Sequence, residues 1–175
     1  RASDDWYAYV SGNDSYMDLS VGRIPVQTAS QARIVVDKII AYESEPIWGD
    51  WRSLATIVAD DEVTPRSENE TTHTRSSEDL AENVLPDYLN LKKIYLTEYP
   101  AVITADGRRK PQAREALVDQ INRGTLLVNY IGHGNRRLWA DERIFNRDQE
   151  LPLLENPALP LFYAATCAFA QYDLP

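Results

Sequence analysis

The segment TLLVNYIGHG (residues 125–134) gives the clearest indication of the fold of this 175-residue chain. Its apolar run is continuous and not alternating, which is typical of a strand buried on both faces of a parallel sheet. The run ends at His133, one of two histidines in the chain, which stands between two glycines. We therefore expect His133 at the carboxyl edge of a sheet, where α/β proteins gather their functional groups.

Other apolar runs and amphipathic segments extend this pattern along the chain. Further strands are predicted at 21–26, 54–59, 92–97 and 160–166, and helices at 30–45 with Ser30 as its cap, from Ser76 or Ser77 to Pro86, and at 111–123 between Pro111 and Gly124. Short buried strands separated by helix-sized segments predict an α/β fold, a sandwich with a mostly parallel central sheet flanked by helices.

Length and composition narrow the class of protein. We expect residues 1–175 to form a single, partial domain cut from a longer protein and truncated at its C-terminal end, because the chain starts at Arg1 and stops soon after the last predicted strand. The net charge of -9 argues against nucleic acid as a partner. No apolar run is long enough for a transmembrane segment. A single cysteine, Cys167, excludes an internal disulfide.

Two of the predicted strands end at residues with reactive side chains. His133 follows the strand at 125–132, and Cys167 follows the strand at 160–166. Neighbouring parallel strands would bring both to one edge, where the imidazole could activate the thiol as a nucleophile. The Gly134 amide could then donate to an oxyanion. The alternative is a structural histidine and a small buried cysteine, and the pattern alone leaves both interpretations open.

Metal binding is a second interpretation of the same polar residues. Cys167, His133 and His73 could supply zinc ligands, but they lack the close pair spacing of zinc sites. Four aspartates near the start of the chain could supply oxygen ligands to calcium, although they do not match an EF-hand loop. These candidates are Asp4, Asp5, Asp14 and Asp18. A solvated acidic loop is the alternative.

Trp139 lies six residues after His133, on the same loop. It could form the wall of a substrate pocket, or it could anchor the loop to the core.

Several segments together resemble the gingipain-type cysteine peptidases of family C25. They are DLSVGRIPV (18–26), VDKIIAYE (36–43), WRSLATIVADD (51–61), VNYIGHG (128–134) and LPLFYAATCAFAQYDLP (159–175), with Trp139 between the last two. They occur in the order expected for that family. The closest likeness is to the PorU-type sortases of the type IX secretion system, from which the chain departs at Ala168 and Leu174, where many of these sortases have acidic residues.

This resemblance implies a caspase-like α/β sandwich and a Cys–His endopeptidase. His133 matches the catalytic histidine and Cys167 the nucleophile, while the amides of Gly134 and Cys167 match the oxyanion hole. Asp60 falls at the place of a third acid that orients the imidazole. Glu70 lies nearest to the acid that recognises a basic side chain of the substrate.

The resemblance also implies a location and partners. We expect an extracytoplasmic protein, secreted or at the outer membrane surface, that needs no cofactor for its chemistry. The resemblance also implies calcium as a structural ion. A sortase of this type removes the C-terminal sorting domain of secreted cargo, can transfer the cargo to a surface glycolipid, and works with outer-membrane secretion components. The alternatives are a secreted degradative protease of gingipain type and a catalytically silent surface module on the same fold.

Overall fold

The computed structural model describes residues 4–61, 63 and 71–169. Contacts between residues divide the chain into two compact units, one built on the residues up to Pro46 and the other formed by Ile47–Ala170. Over the described residues, no helix has both the length and the apolar character required to span a membrane.

The first unit contains one long helix, α1 (Ala29–Ser44). Thr28 caps it, because its side-chain oxygen accepts a hydrogen bond from the backbone N–H of Gln31 at 3.2 Å. The cap predicted at Ser30 was therefore two residues late. The strand predicted at 21–26 was wrong, since this segment is irregular and mostly exposed. Pro25 has no N–H to donate to a sheet, which disfavours a paired strand there.

The second unit contains all the strands and the other two α-helices of the described chain. Its strands are β1 (Leu54–Ala59), β2 (Asn90–Tyr95), β3 (Val102–Thr104), β4 (Gly107–Arg109), β5 (Leu127–Ile131), β6 (Leu138–Trp139), β7 (Phe145–Asn146) and β8 (Leu161–Ala165). Its helices are α2 (Thr72–Asp79), which continues as a π-helical turn over Leu80–Val84, and α3 (Pro111–Arg123). Four strands form the central sheet in the order β2-β1-β5-β8, and all their pairings are parallel.

Successive side chains of a strand point to opposite faces of the sheet, and a helix packs on each face. Val58 of β1 packs with Leu117 of α3 on one face. Its neighbour Ile57 points to the other face, where Leu80 at the end of α2 packs against it. α3 has the bounds that Pro111 and Gly124 predicted, and Gly124 ends it with a φ of 105°.

α2 begins at Thr72, several residues before the predicted cap at Ser76 or Ser77. Its first turn consists of polar residues, so it contributes no apolar periodicity from which a helix can be predicted. Ser77 is buried within the helix and does not cap it.

The register of the central sheet aligns the ends of three strands. Ile131 pairs with Ala59 on one side and with Ala165 on the other. The ladder continues past the strand ends, because Asp60 N–H donates to the Ile131 carbonyl at 3.0 Å and Gly132 N–H donates to the Ala165 carbonyl at 3.4 Å. The segments that follow β1, β5 and β8 therefore leave the sheet at one edge.

A buried ion pair joins the end of β1 to the start of α3. Lys110 Nζ lies 2.6 Å from Asp61 Oδ2, and both side chains are 3% exposed. Lys110 also donates to the Leu96 carbonyl, and Arg108 forms a second ion pair with Asp61 at 2.8 Å. Burial alone would raise the pKa of Asp61, but the hydrogen bonds from Arg108 and Lys110 outweigh it and hold the pKa below its usual value.

We predict that Lys110→Met lowers the free energy of unfolding by about 2–3 kcal/mol, because it removes the nearer of the two cations that neutralise a buried carboxylate. Urea unfolding followed by circular dichroism measures this change. Lys93→Met is the matched control, since Lys93 pairs with Glu78 at 2.6 Å while both side chains are about one-third exposed. Its loss should cost less than about 1 kcal/mol. Equal losses for the two variants would contradict the prediction.

Candidate active site

The backbone of His133 is held by hydrogen bonds on both sides of its Cα. Its N–H donates to Asp60 Oδ2 at 2.9 Å. Its carbonyl accepts from the Tyr130 hydroxyl at 2.6 Å and from the Ala140 N–H at 2.8 Å. The Asp60 carboxylate, directly after β1, and the Tyr130 phenol, on the adjacent strand β5, thus fix the point at which the chain leaves β5.

A tight turn follows His133 and brings the chain back alongside itself. Asn135 N–H donates to the Leu138 carbonyl at 3.0 Å, and the Asn135 side-chain oxygen accepts from the N–H groups of Arg137 and Leu138. An asparagine side chain commonly closes a turn in this way, by accepting from backbone N–H groups a few residues further along the chain. It places the two arginines of the loop, Arg136 and Arg137, in solvent.

Gly134 lies where this loop approaches the one that follows β8. It forms an antiparallel bridge with Trp139, and the two ladder hydrogen bonds come from its neighbours, Asn135 N–H and Ala140 N–H. Gly134 is therefore in a non-hydrogen-bonded pair, and its own N–H points away from the ladder. A Cβ at position 134 would lie 2.5 Å from Thr166 Oγ1, so the two loops are in close contact there.

Cys167 is exposed and immediately follows Thr166. It stands two residues beyond Ala165, as His133 stands two residues beyond Ile131, and Ala165 and Ile131 are paired. The next residue, Ala168, has a φ of 52°, so the chain turns sharply just after the thiol. The structure thus brings the histidine loop and the cysteine loop together at one edge, as the sequence predicted.

Asp60 is buried, with 1% of its surface exposed. Burial raises the pKa of its carboxyl group, against the opposing effect of the His133 N–H. The sequence suggested that Asp60 orients the His133 imidazole, and in the structure its carboxylate binds the backbone of that residue. Asp60 therefore acts on the position of His133 through the main chain.

His73 is a part of this site that the sequence indicated only as a zinc ligand. It lies in the first turn of α2, and its ring meets the His133 ring edge to face, with the centroids 4.9 Å apart and an angle of 88° between the planes. His133 Nε2 is buried and has no hydrogen-bond partner among the described residues. The edge-to-face packing against His73 is therefore one contact that restrains the imidazole.

Trp139 has no exposed surface. Its ring stacks on Tyr130 with the centroids 4.4 Å apart and the planes 4° from parallel, and it also contacts Phe145 at 4.9 Å. The suggestion that it forms a substrate-pocket wall is therefore corrected: the side chain is too deeply buried to contact a substrate, and it anchors the loop to the core. Glu70, the other suggested substrate-binding residue, lies outside the described residues.

The aspartates suggested as calcium ligands are engaged in other contacts. Asp4 forms an ion pair with Arg23, and Asp18 accepts hydrogen bonds from the N–H groups of Val10 and Ser11 at 2.9 Å each. Within the ranges 4–61, 63 and 71–169, the four suggested aspartates form no group of three carboxylates close enough to share an ion. Calcium binding at these four residues stays a prediction.

One group of acidic side chains does converge in the described part of the chain. Asp60, Asp61 and Glu142 have oxygens within 4.8 Å of one another. Burial, followed by the Asp61 carboxylate, raises the pKa of Glu142 to about 7. Arg108 pairs with both Asp61 and Glu142, and Lys110 with Asp61, so the protein supplies its own cations to this cluster. Within the part of the chain that the structure describes, the suggested zinc ligands Cys167, His133 and His73 do not place their ligand atoms within 4.8 Å of one another.

Comparison with known proteins identifies relatives of the whole chain. The sequence model of peptidase family C25 matches residues 1–175. Gingipain R2 of Porphyromonas gingivalis is 26% identical over 171 residues, which cover 97% of this chain and 22% of that protein. Gingipain R1 of the same organism is also 26% identical over 171 residues, which cover 16% of its length. The chain therefore spans about a fifth of the length of these curated relatives.

A solved structure confirms the predicted fold class. The crystal structure of the Arg-specific cysteine proteinase gingipain R (RgpB) matches with a TM-score of 0.69 and 24% sequence identity, covering 99% of this chain and 38% of that one. The parallel sheet with helices on both faces is thus the caspase-like α/β sandwich, present here as part of a larger domain.

We predict that Gly132→Ala displaces the histidine loop. A Cβ at position 132 would lie 2.4 Å from the Tyr130 hydroxyl and 2.5 Å from the Asp60 Cβ, both of which are buried. The expected cost in unfolding free energy is about 1–3 kcal/mol, as for other overpacked sites, and Cys167 reactivity should fall with it. Thermal unfolding and thiol-labelling rates measure the two effects.

Gly22→Ala is the control for this prediction, because a Cβ at position 22 meets no atom within 4 Å. A Gly132→Ala variant as stable and as reactive as the Gly22→Ala variant would show that the loop tolerates displacement.

Proposed function

This chain belongs to peptidase family C25, and from that membership we propose that it supplies the catalytic edge of a cysteine endopeptidase with a Cys167–His133 dyad. The observation that carries the proposal is the pairing of β5 with β8. Ile131 is paired with Ala165, and the two reactive residues, His133 and Cys167, each come two positions later in the sequence. The contact between Gly134 and Thr166 supports it independently.

The proposed first half of the reaction is acylation of the enzyme. The Cys167 thiolate attacks the carbonyl carbon of the scissile peptide bond, and the carbonyl oxygen becomes an oxyanion. The amides of Gly134 and Cys167 stabilise it by hydrogen bonding. His133, as imidazolium, donates a proton to the leaving nitrogen, the C–N bond breaks, and a thioester remains on Cys167.

The second half releases the product and restores the dyad. A water molecule or an amine attacks the thioester carbonyl while His133 accepts its proton. The C–S bond then breaks and the electron pair returns to the Cys167 sulfur. The exposure of Cys167 supports this role, because both the substrate and the second nucleophile must reach the thiol.

Asp60 has a supporting part in this proposal. It holds the main chain of His133 in place through the 2.9 Å hydrogen bond, so the histidine enters the reaction from a fixed position. The chemistry requires no cofactor.

The finer proposal is that the parent protein is a sortase of the type IX pathway, outside the cytoplasm. The likeness of the segments around His133 and Cys167 to PorU-type proteins supports it. The substrate would be secreted cargo with a C-terminal sorting domain, the partners outer-membrane secretion components, and the second nucleophile an amine of a surface glycolipid. Glu70 is proposed to contact the substrate. A degradative secreted protease would use the same dyad on less specific sequences.

The dyad predicts how the full-length protein reacts with an acyloxymethyl-ketone peptide probe. Wild-type protein should be labelled at Cys167, and Cys167→Ala should abolish labelling. His133→Ala should slow labelling by about 10²–10⁴-fold while circular dichroism remains unchanged, since general acid–base catalysis is typically worth that much. Labelling that survives in Cys167→Ala, or that is absent from the wild type, would refute the enzymatic role and favour a silent surface module.

The sortase proposal predicts a cleavage pattern. Full-length protein, incubated with a cargo carrying a C-terminal sorting domain and with a glycine-amide nucleophile, should cut once at the domain boundary and attach the amine to the new C-terminus. Mass spectrometry of intact products detects both events. Cargo without the domain is the control. Cleavage at many positions in both cargoes, with only hydrolytic products, would contradict the sortase proposal and indicate a degradative protease.

A further inference from the structure

We propose that Tyr130 is a positioning residue for the oxyanion hole: by holding the His133 carbonyl, its hydroxyl aims the N–H of Gly134 at the substrate. This inference rests on the proposed peptidase function. It concerns a side chain that never touches the substrate and that acts through one peptide group.

The first step is the geometry of a peptide bond. The His133 carbonyl and the Gly134 N–H belong to the same planar, trans unit, so they point in opposite directions. Whatever fixes the carbonyl therefore fixes the direction of the N–H as well. The carbonyl accepts two hydrogen bonds, from Tyr130 at 2.6 Å and from Ala140 N–H at 2.8 Å. Tyr130 lies on β5 and Ala140 on the returning arm of the loop, and both residues are buried.

The second step concerns the outward end of this peptide. Gly134 occupies a non-hydrogen-bonded position opposite Trp139, so the ladder does not use its N–H. The close approach to Thr166 places Gly134 beside the residue that precedes the nucleophile. A donor that faces away from the ladder at this point is available to an oxygen bound next to Cys167.

The third step is the rigidity of the phenol. Tyr130 has no exposed surface, and its ring is stacked on Trp139, which is equally buried. Gly132 packs so close beneath the hydroxyl that a methyl group would not fit. The phenol oxygen therefore cannot move without moving the core. Burial, followed by the nearby Asp60 carboxylate, raises the pKa of Tyr130, so the group remains a neutral donor.

The experiment compares two reactions of Cys167 in the full-length protein. Acylation by a peptide thioester or ester substrate forms an oxyanion, whereas alkylation by iodoacetamide does not. Tyr130→Phe keeps the ring stacked on Trp139 and removes only the donor. We expect its acylation rate constant to fall by about tenfold, a fraction of the 10²–10³ lost when an oxyanion donor is removed outright. Alkylation and KM should change less than about twofold.

Tyr95→Phe is the matched control. Tyr95 is also a buried tyrosine, 3% exposed, but it packs with Ile57 on the other face of the sheet. Both rates should stay at the wild-type value in this variant. If Tyr130→Phe does not fold, 4-aminophenylalanine at position 130 provides the second test, because it restores a donor at the same place and should restore acylation relative to 4-fluorophenylalanine.

The outcomes separate the two proposals. If the wild-type protein shows no acylation at Cys167, the proposed function fails. If the wild type is acylated and Tyr130→Phe lowers acylation and alkylation equally, or lowers neither, the peptidase function stands and the positioning role of Tyr130 is overturned.

Discussion

The parallel ladder that joins β5 to β1 and β8 is the interaction on which the candidate site depends. Asp60, His133 and Cys167 are far apart in the sequence, and each belongs to a different strand end. The pairing of Ile131 with both Ala59 and Ala165 brings those ends to one edge. A shift of one residue in either pairing would turn the following side chains to the opposite face of the sheet. The site is thus a consequence of register.

Two charged side chains next to this edge, those of Asp60 and Asp61, are buried away from water. Asp60 and Asp61 follow one another at the end of β1 but have opposite surroundings. Asp61 is neutralised by Lys110 and Arg108, whereas Asp60 receives the backbone N–H of His133 and its pKa is raised by burial. The two neighbouring carboxylates therefore have different structural roles. Asp61 links the end of β1 to the start of α3, and Asp60 fixes the position at which the chain leaves β5.

The sequence predicted those parts of the fold that depend on local pattern. Continuous apolar runs identified β1, β5 and β8, and Pro111 and Gly124 bounded α3. The errors occurred where local signals compete with context. Residues 21–26 have the composition of a strand, but Pro25 disfavours pairing, and the first turn of α2 is polar. In the site, the proximity of the His133 and Cys167 loops was predictable, because each residue directly follows a predicted strand of a parallel sheet.

The contacts of His73, Tyr130 and Trp139 were not predictable in this way, because each is made by tertiary packing. His73 reaches His133 from a helix whose start the sequence does not show. Trp139 follows His133 on the same loop, and only its burial against Tyr130 decides between pocket wall and core. The role of Asp60 likewise depended on whether its oxygen meets the ring or the main chain of His133.

The packing around Gly132 restricts how this sequence can change over evolutionary time. A side chain at position 132 would occupy the space that the side chains of Asp60 and Tyr130 fill, so substitutions at these three positions depend on one another. A lineage that enlarges position 132 must reduce position 130 in the same step or lose the fixed carbonyl of His133. Substitutions at these positions should therefore appear together among relatives, as a single inherited unit, while the exposed loop at Arg136 and Arg137 diverges freely.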